Sequence, residues 1–327
     1  MEYKVSFYCR NLFGRNGESQ TDFVTVSVLD ENGKASGAVK INLEKNEKEA
    51  RCFWEKYEAV LKAENDIRHG KFTVTVSNPG ILEFDFISMI PSDAVCGIFR
   101  KDLFDLLDGI HPGFIRFPGG CIIEGATLSN RYDYKKTIKP LEHRNHNWSR
   151  WAVHYSWQPH IAGDGPEVYP YYNQTYGIGY YEFFLLCEKL GCKALPVLNV
   201  GLACQFQSYE MVDIESEEFK NYLQDAVDLI EFANGLPDST WGKVRAELGH
   251  PEPFNMEMVG IGNEQWETKD NRFLDRYCAF EKAIHERYPE IKLIGSAGPN
   301  VEWPEFVKAW DFISGKCKET QLFAYAV

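Results

Sequence analysis

The 327-residue chain contains no run of about 18 apolar residues, so nothing in it reads as a membrane-spanning helix. It opens Met1-Glu2-Tyr3-Lys4-Val5 straight into a strand pattern, with no stretch that reads as a secretory leader. If the chain is incomplete at its N-terminus, this absence fixes no compartment. Positive charge is scarce: 35 Lys and Arg against 48 Asp and Glu give a formal net charge of −13, which makes nucleic acid and anionic membrane poor partners. The nine cysteines (Cys9, Cys52, Cys96, Cys121, Cys187, Cys192, Cys204, Cys278 and Cys317) include no CxxC pair and no Cys/His ligand spacing. Their odd number argues against a complete disulfide framework, and they read mostly as buried thiols. Neither HxxxH nor HExxH occurs, so no metal is expected. Gly260-Ile261-Gly262 lacks the third glycine of a phosphate loop and runs into an acid that repels phosphate, and there is no GxSxG elbow. No cofactor is expected either. Internal repeats and low-complexity segments are also missing.

What is present is an ordinary globular composition, 44% hydrophobic and 25% charged, able to bury a real core. Up to about residue 90 the pattern is β. Tyr3–Cys9, Phe23–Leu29, Lys71–Val76 and Leu82–Phe86 alternate with period two, separated by turn clusters such as Asp30-Glu31-Asn32-Gly33. Short strands at this spacing suggest an antiparallel sandwich or jelly roll, though the count is low for a closed one. The grammar changes near Pro91-Ser92-Asp93. Strands at Phe114–Phe117, Ala194–Val200, Met258–Gly262 and Leu293–Ser296 then alternate with helices at Arg100–Leu107, Tyr181–Leu190, Glu217–Asn234 and Asn271–Tyr288. Apolar strands alternating with amphipathic helices mean βα units around a parallel sheet. Gln321–Val327 reads as one more strand. The expected division is a partial β-sandwich over residues 1–90 and a βα portion over residues 91–327.

In such architectures functional groups sit at the C-terminal ends of strands. Three ends carry unusual residues. Arg116-Phe117-Pro118-Gly119-Gly120-Cys121, followed by Glu124, offers glycines that turn the backbone beneath a ligand and an Arg able to fix a neighbouring carboxylate; a structural turn with a solvated Arg is equally open. Asn199-Val200-Gly201, with Cys204-Gln205, offers amides that line a cleft or merely reflect loop polarity. Gly262-Asn263-Glu264 is the most telling. A buried strand that stops on Asn-Glu places a carboxyl where it can be desolvated, beside an amide that orients a polyol, as a glycosidase acid/base requires. Aromatics reach 14%, and Tyr and Trp gather between Trp148 and Tyr181, as sugar platforms or as packing.

Taken in order, Phe86–Pro91, Phe114–Gly125, Lys139-Pro140-Leu141-Glu142-His143-Arg144, Gly191–Gly201, Gly260–Trp266 and Tyr288–Ser296 resemble glycoside hydrolase family 51, the α-L-arabinofuranosidases. The resemblance implies an α/β fold, a (β/α)8 TIM barrel, here incomplete and preceded by a partial antiparallel β-sandwich of carbohydrate-binding type. It implies a metal-free, retaining hydrolase that releases terminal arabinofuranosyl groups from arabinose-containing plant polysaccharides or oligosaccharides. Carried over by position, Glu264 is the acid/base, Asn263 holds the sugar hydroxyl next to the reacting carbon, and Arg116 supports the catalytic carboxylates. Cys121 stands where many members place a sugar-binding Asn, and Trp151 (or Trp148) supplies an aromatic wall. Set against the family, the chain looks like an internal piece that lacks the first barrel strand and strands seven and eight. The nucleophile, a Glu on strand seven, is then missing, and the isolated chain is expected to be inactive. The open sheet edges of such a piece favour association, so a homo-oligomer is compatible with it. Alternatives are another two-carboxylate barrel glycosidase (an endo-xylanase or glucanase), a non-catalytic carbohydrate-binding protein, or an inactive gene fragment.

Overall fold

In the computed structural model the described residues are 1–12, 20–45, 53–148, 173–205, 208–298 and 300–320. They form two compact units, Met1–Ile110 and His111–Val327. Among them no helix is long and apolar enough to cross a membrane.

In the first unit, alternation along β1 (Glu2–Leu12) turns Val5, Phe7 and Cys9 to one buried face. β1 is the centre of an antiparallel sheet flanked by β4 (Glu55–Lys62) and β6 (Ile81–Pro91). A second antiparallel sheet places β2 (Phe23–Leu29) between β3 (Ala35–Asn42) and β5 (Lys71–Val76). Val5, Phe7, Cys9 and Leu61 from the first sheet and Val24, Val26 and Ile41 from the second share one core, which makes the unit a sandwich. Phe7 stacks on Tyr57 at 5.6 Å and meets Phe84 edge-on at 5.4 Å, tying the three strands of its sheet together. Strands β3 and β4 were not legible as strands: both are largely solvated and carry charged or small residues on the outer face. α1 (Lys101–Gly109) follows β6 and buries no residue.

The second unit is built on four parallel strands: β7 (Phe114–Phe117), β10 (Lys193–Leu198), β11 (Met258–Ile261) and β12 (Lys292–Ile294). Their order in space is their order in sequence. Phe114 pairs with Lys193, Val197 with Gly260 and Met258 with Lys292. Nearly every residue of β10 and β11 is buried, as expected for strands covered on both faces. A two-residue pair, β8 (Asn147–Trp148) with β9 (Asn173–Gln174), lies within the connection from β7 to β10.

Helices fill the connections. α2 (Tyr180–Leu190) precedes β10 and ends at Gly191, whose φ of 63° allows the left-handed cap. α3 (Glu217–Asn234) starts because the Ser216 hydroxyl accepts from Phe219 N at 3.2 Å and Glu217 and Glu218 face the positive helix end. Its buried stripe runs through Phe219, Tyr222, Ala226, Val227, Ile230 and Ala233, and it stops at Gly235. α4 (Thr240–Glu247) leads on towards β11, α5 (Phe273–His285) joins β11 to β12, and α6 (Pro304–Thr320) follows β12.

The connection after β7 is held by a buried ion pair. Arg144 Nη1 and Nη2 donate to both carboxylate oxygens of Glu182 at 2.9 and 2.8 Å, and the side chains are 2% and 4% exposed. Arg144 also donates to Lys139 O at 2.7 Å and Tyr176 O at 2.9 Å, while Glu182 accepts from Gly179 N at 2.8 Å. Of the aromatic run between Trp148 and Tyr181, Tyr176, Tyr180 and Tyr181 are buried in packing, and Tyr180 donates its hydroxyl hydrogen to Val197 O. Trp148 is 39% exposed. Trp151 and the expected strand Gln321–Val327 lie outside the described residues.

The thiols are less uniformly buried than their sequence context implies. Among the described cysteines Cys9, Cys187 and Cys204 are buried, Cys121, Cys192 and Cys278 are half-buried, and Cys96 is exposed; none forms a disulfide.

Candidate active site

The C-terminal ends of β7, β10 and β11 lie side by side, and the three marked segments are the loops that leave them. Each loop turns on a left-handed glycine. Gly119 (φ 66°) makes room for Arg116, whose Nη1 lies 2.8 Å from where a Cβ would stand. Gly201 has φ 77°. Gly262 (φ 77°) faces Gln265 Oε1, 2.5 Å from where a Cβ would stand.

Arg116 Nη2 donates to Asn263 Oδ1 at 2.6 Å, and Asn263 Nδ2 donates to Glu124 Oε1 at 3.4 Å. The first bond fixes which way the amide faces, and one Nδ2 hydrogen remains for a ligand. Arg116 therefore orients an amide rather than gripping a carboxylate. Burial lowers the pKa of Arg116, and the charge of Glu264 works in the opposite direction. Cys121, in the short 3-10 turn Gly120–Ile122, donates from Sγ to Glu264 Oε2 at 3.6 Å.

The desolvated carboxyl is not the one that the sequence indicates. Glu264 is exposed, because its φ of 40° turns the chain so that Asn263 and Gln265 point inward (3% and 0% exposed) and Glu264 points out. A non-glycine residue held in this region is strained, and such strain gathers at functional sites. The buried acid is Glu124, 2% exposed. Burial, and then the neighbouring Cys204 thiol, push its pKa up to about 9, while the Asn263 amide works in the opposite direction. Glu124 thus holds its proton at neutral pH.

Asn199 plays a structural part rather than lining a cleft. Its Nδ2 lies 3.0, 3.3 and 3.0 Å from the carbonyls of Ile123, Glu124 and Leu202, and its Oδ1 accepts from Gly201 N at 2.7 Å. Cys204 N donates to Gly125 O at 3.0 Å, and Gln265 Nε2 to Leu202 O at 3.0 Å. All three loops are clamped together through these bonds. The clamping brings Cys121, Glu124 and Cys204 within 4.8 Å of one another, the only set of side chains among the described residues suited to hold a metal ion. Glu124, Cys204, Gln205, Glu264, Trp266 and Thr268 line a cleft of about 60 Å³, room for roughly two water molecules.

A parallel sheet in consecutive strand order, with acid, amide, guanidinium and thiol groups collected where its strands end, defines a βα protein with its site at the carboxyl edge of the sheet. Residues 106–320 match the model of the alpha-L-arabinofuranosidase 1 domain. An extracellular exo-α-L-arabinofuranosidase of Streptomyces chartreusis is 33% identical over 317 residues, covering 93% of this chain and 34% of the relative. α-L-Arabinofuranosidase 1 of Arabidopsis thaliana is 33% identical over 296 residues, 90% of this chain and 38% of the relative. In fold, the chain is similar to an arabinose-bound GH51 α-L-arabinofuranosidase, with a TM-score of 0.73 at 23% identity over 93% of this chain and 44% of that one. The chain belongs to the α-L-arabinofuranosidases of glycoside hydrolase family 51. It spans about a third of the length of the curated relatives it matches.

Proposed function

We propose that residues 91–327 are part of the (β/α)8 barrel of a retaining α-L-arabinofuranosidase acting on arabinose-containing plant polysaccharides or oligosaccharides, and that residues 1–90 are an accompanying sandwich of carbohydrate-binding type. In this reading Glu264 is the acid/base: it protonates the leaving oxygen, then activates the water that releases the sugar. The observation that carries it is the strained, outward-turned Glu264 at the end of β11, next to an Asn263 amide locked in orientation by Arg116. Asn263 and Arg116 position the sugar, with Cys121 and Trp151 at its edge.

Retention needs two carboxyl groups about 5 Å apart, one of them an ionised nucleophile. Glu124 is the acid that shares Cys121 as a neighbour with Glu264, and it keeps its proton up to about pH 9. It is therefore not the nucleophile. The second carboxylate is assigned to a residue outside the described ones, and the 327 residues alone are expected to show no turnover of a chromogenic arabinofuranoside. Turnover that Glu264→Gln abolishes would overturn that assignment. In a protein that supplies the second carboxylate, Glu264→Gln should slow hydrolysis of alkyl arabinofuranosides by about 10²–10⁴. It should slow aryl arabinofuranosides, whose leaving groups need no proton, far less. Equal losses on both would remove the acid role.

A further inference from the structure

We propose that Cys187 and Cys192 are a dithiol modification site, which a small-molecule disulfide such as oxidised glutathione closes into an intramolecular disulfide across the end of α2. The inference is independent of the roles proposed for the sugar site. It starts from the way the helix stops. Gly191 takes the left-handed conformation after Leu190, Cys192 N donates to Cys187 O at 3.0 Å, and Gly191 N donates to Glu188 O at 3.1 Å. Such a cap brings the residue after the glycine against the last turn of the helix, a contact usually made by two apolar side chains. Here both residues are cysteine, and the Cys187 thiol hydrogen-bonds the Cys192 sulfur.

Residues joined by a main-chain hydrogen bond have their Cα atoms within about 6 Å of each other, and disulfides span Cα separations of about 4.4–6.8 Å. Closing the bond therefore asks for side-chain rotation and leaves the helix end in place. Access sets the order of events. Cys187 is 2% exposed and Cys192 half-buried, so an oxidant meets Cys192 first. Burial raises the pKa of both thiols; at Cys192 the hydrogen bond from Cys187 works in the opposite direction and favours its thiolate.

The exchange runs through two displacements. The Cys192 thiolate attacks one sulfur of oxidised glutathione, breaks its S–S bond, forms a mixed disulfide and releases one glutathione thiolate. The Cys187 sulfur then attacks the Cys192 sulfur and releases the second glutathione thiolate. The two cysteine protons end on the two glutathione thiols; the protein loses two electrons and the oxidant gains them. The pair lies where β10 begins, at the edge of the sheet opposite to Asn263 and Glu264, which follow the end of the parallel strand β11. Closing it fastens the turn from α2 into β10 and leaves the sugar cleft untouched.

The test treats the folded, reduced 327-residue chain with oxidised glutathione, blocks the remaining thiols with iodoacetamide and maps the cysteines by mass spectrometry after trypsin. Cleavage at Arg150, Lys189 and Lys193 separates residues 151–189 from residues 190–193, each with a single cysteine. The two peptides should be recovered joined, two hydrogens lighter than their sum. Cys187→Ser should accumulate a glutathione adduct on Cys192, whereas Cys192→Ser should leave Cys187 free of glutathione. The oxidised chain should unfold at a higher urea midpoint than the reduced one, a shift that Cys192→Ser lacks. Cys192→Ser, at a half-buried position, and the mapping of the parent chain keep the test decisive if Cys187→Ser fails to fold. Recovery of residues 190–193 as the alkylated peptide, their linkage to another cysteine, or a lasting glutathione adduct on Cys192 of the parent chain would overturn the proposal. An unchanged or lower urea midpoint on closure would overturn it equally.

Discussion

Arg144→Met removes a guanidinium that is 2% exposed and makes four hydrogen bonds: two to Glu182, one to Lys139 O and one to Tyr176 O. The variant leaves the Glu182 carboxylate buried without its counter-charge and two carbonyls without a donor. Breaking one side of a buried, hydrogen-bonded ion pair costs about 3–5 kcal/mol. That is a large part of the roughly 5–15 kcal/mol that holds a typical domain folded. Glu182→Gln preserves shape but strands the guanidinium, and the same range is expected. In Arg144→Met/Glu182→Leu no charge is stranded. What remains lost are the two carbonyl bonds and the cap on Gly179 N, together about 2–3 kcal/mol. The double variant should therefore be no worse than either single one, with a coupling energy of about 3 kcal/mol or more. Urea unfolding followed by tryptophan fluorescence measures all three. Single losses below about 1 kcal/mol, the value of an exposed pair, or strictly additive losses would refute the reasoning.

Gly262→Ala puts a methyl group 2.5 Å from Gln265 Oε1 at a φ of 77°. It should destabilise the second unit by about 2–4 kcal/mol, from left-handed strain and the displaced buried amide; an unchanged urea midpoint would sink this account. In the sandwich, burial raises the Cys9 thiol from 9.0 to about 11. Since the folded value lies above the unfolded one, its contribution to stability is intact below about pH 9 and is lost as pH rises through about 11. Relative to Cys9→Val, the parent chain should lose stability across that window in urea titrations at fixed pH, and parallel curves would contradict it.

Strong periodicity made the second unit legible. Glu217–Asn234 and Phe114–Phe117 are found at the bounds read from sequence, because a capped amphipathic helix and a short apolar strand between glycine-rich turns announce themselves locally. β3 and β4 announce nothing, since pairing with β2 and β1 rather than their own pattern makes them strands. At the site, the proximity of Arg116, Cys121, Asn263 and Glu264 was foreseeable only through the family resemblance. The burial of Glu124 and the approach of Cys204 were not, because the register of β7 against β10 and the Asn199 clamp bring those residues together, and neither leaves a trace in local spacing. The left-handed turn at Glu264, which leaves the carboxyl expected to be desolvated exposed, is likewise invisible in a segment that ends a strand on Asn-Glu.

The Arg144–Glu182 pair also bears on the rate of folding. β7 and β10 meet in parallel, Phe114 against Lys193, so roughly eighty residues of chain must close on themselves before the first ladder bond forms, with no hairpin to begin from. The ion pair joins residues 38 apart inside that span. Formed early, it leaves about half the loop to be closed, which lowers the entropic barrier by about 0.6 kcal/mol, or roughly threefold in rate. A slower folding limb in Arg144→Met, beyond its faster unfolding, would show that the same contact that holds the finished connection also sets the order in which the sheet assembles.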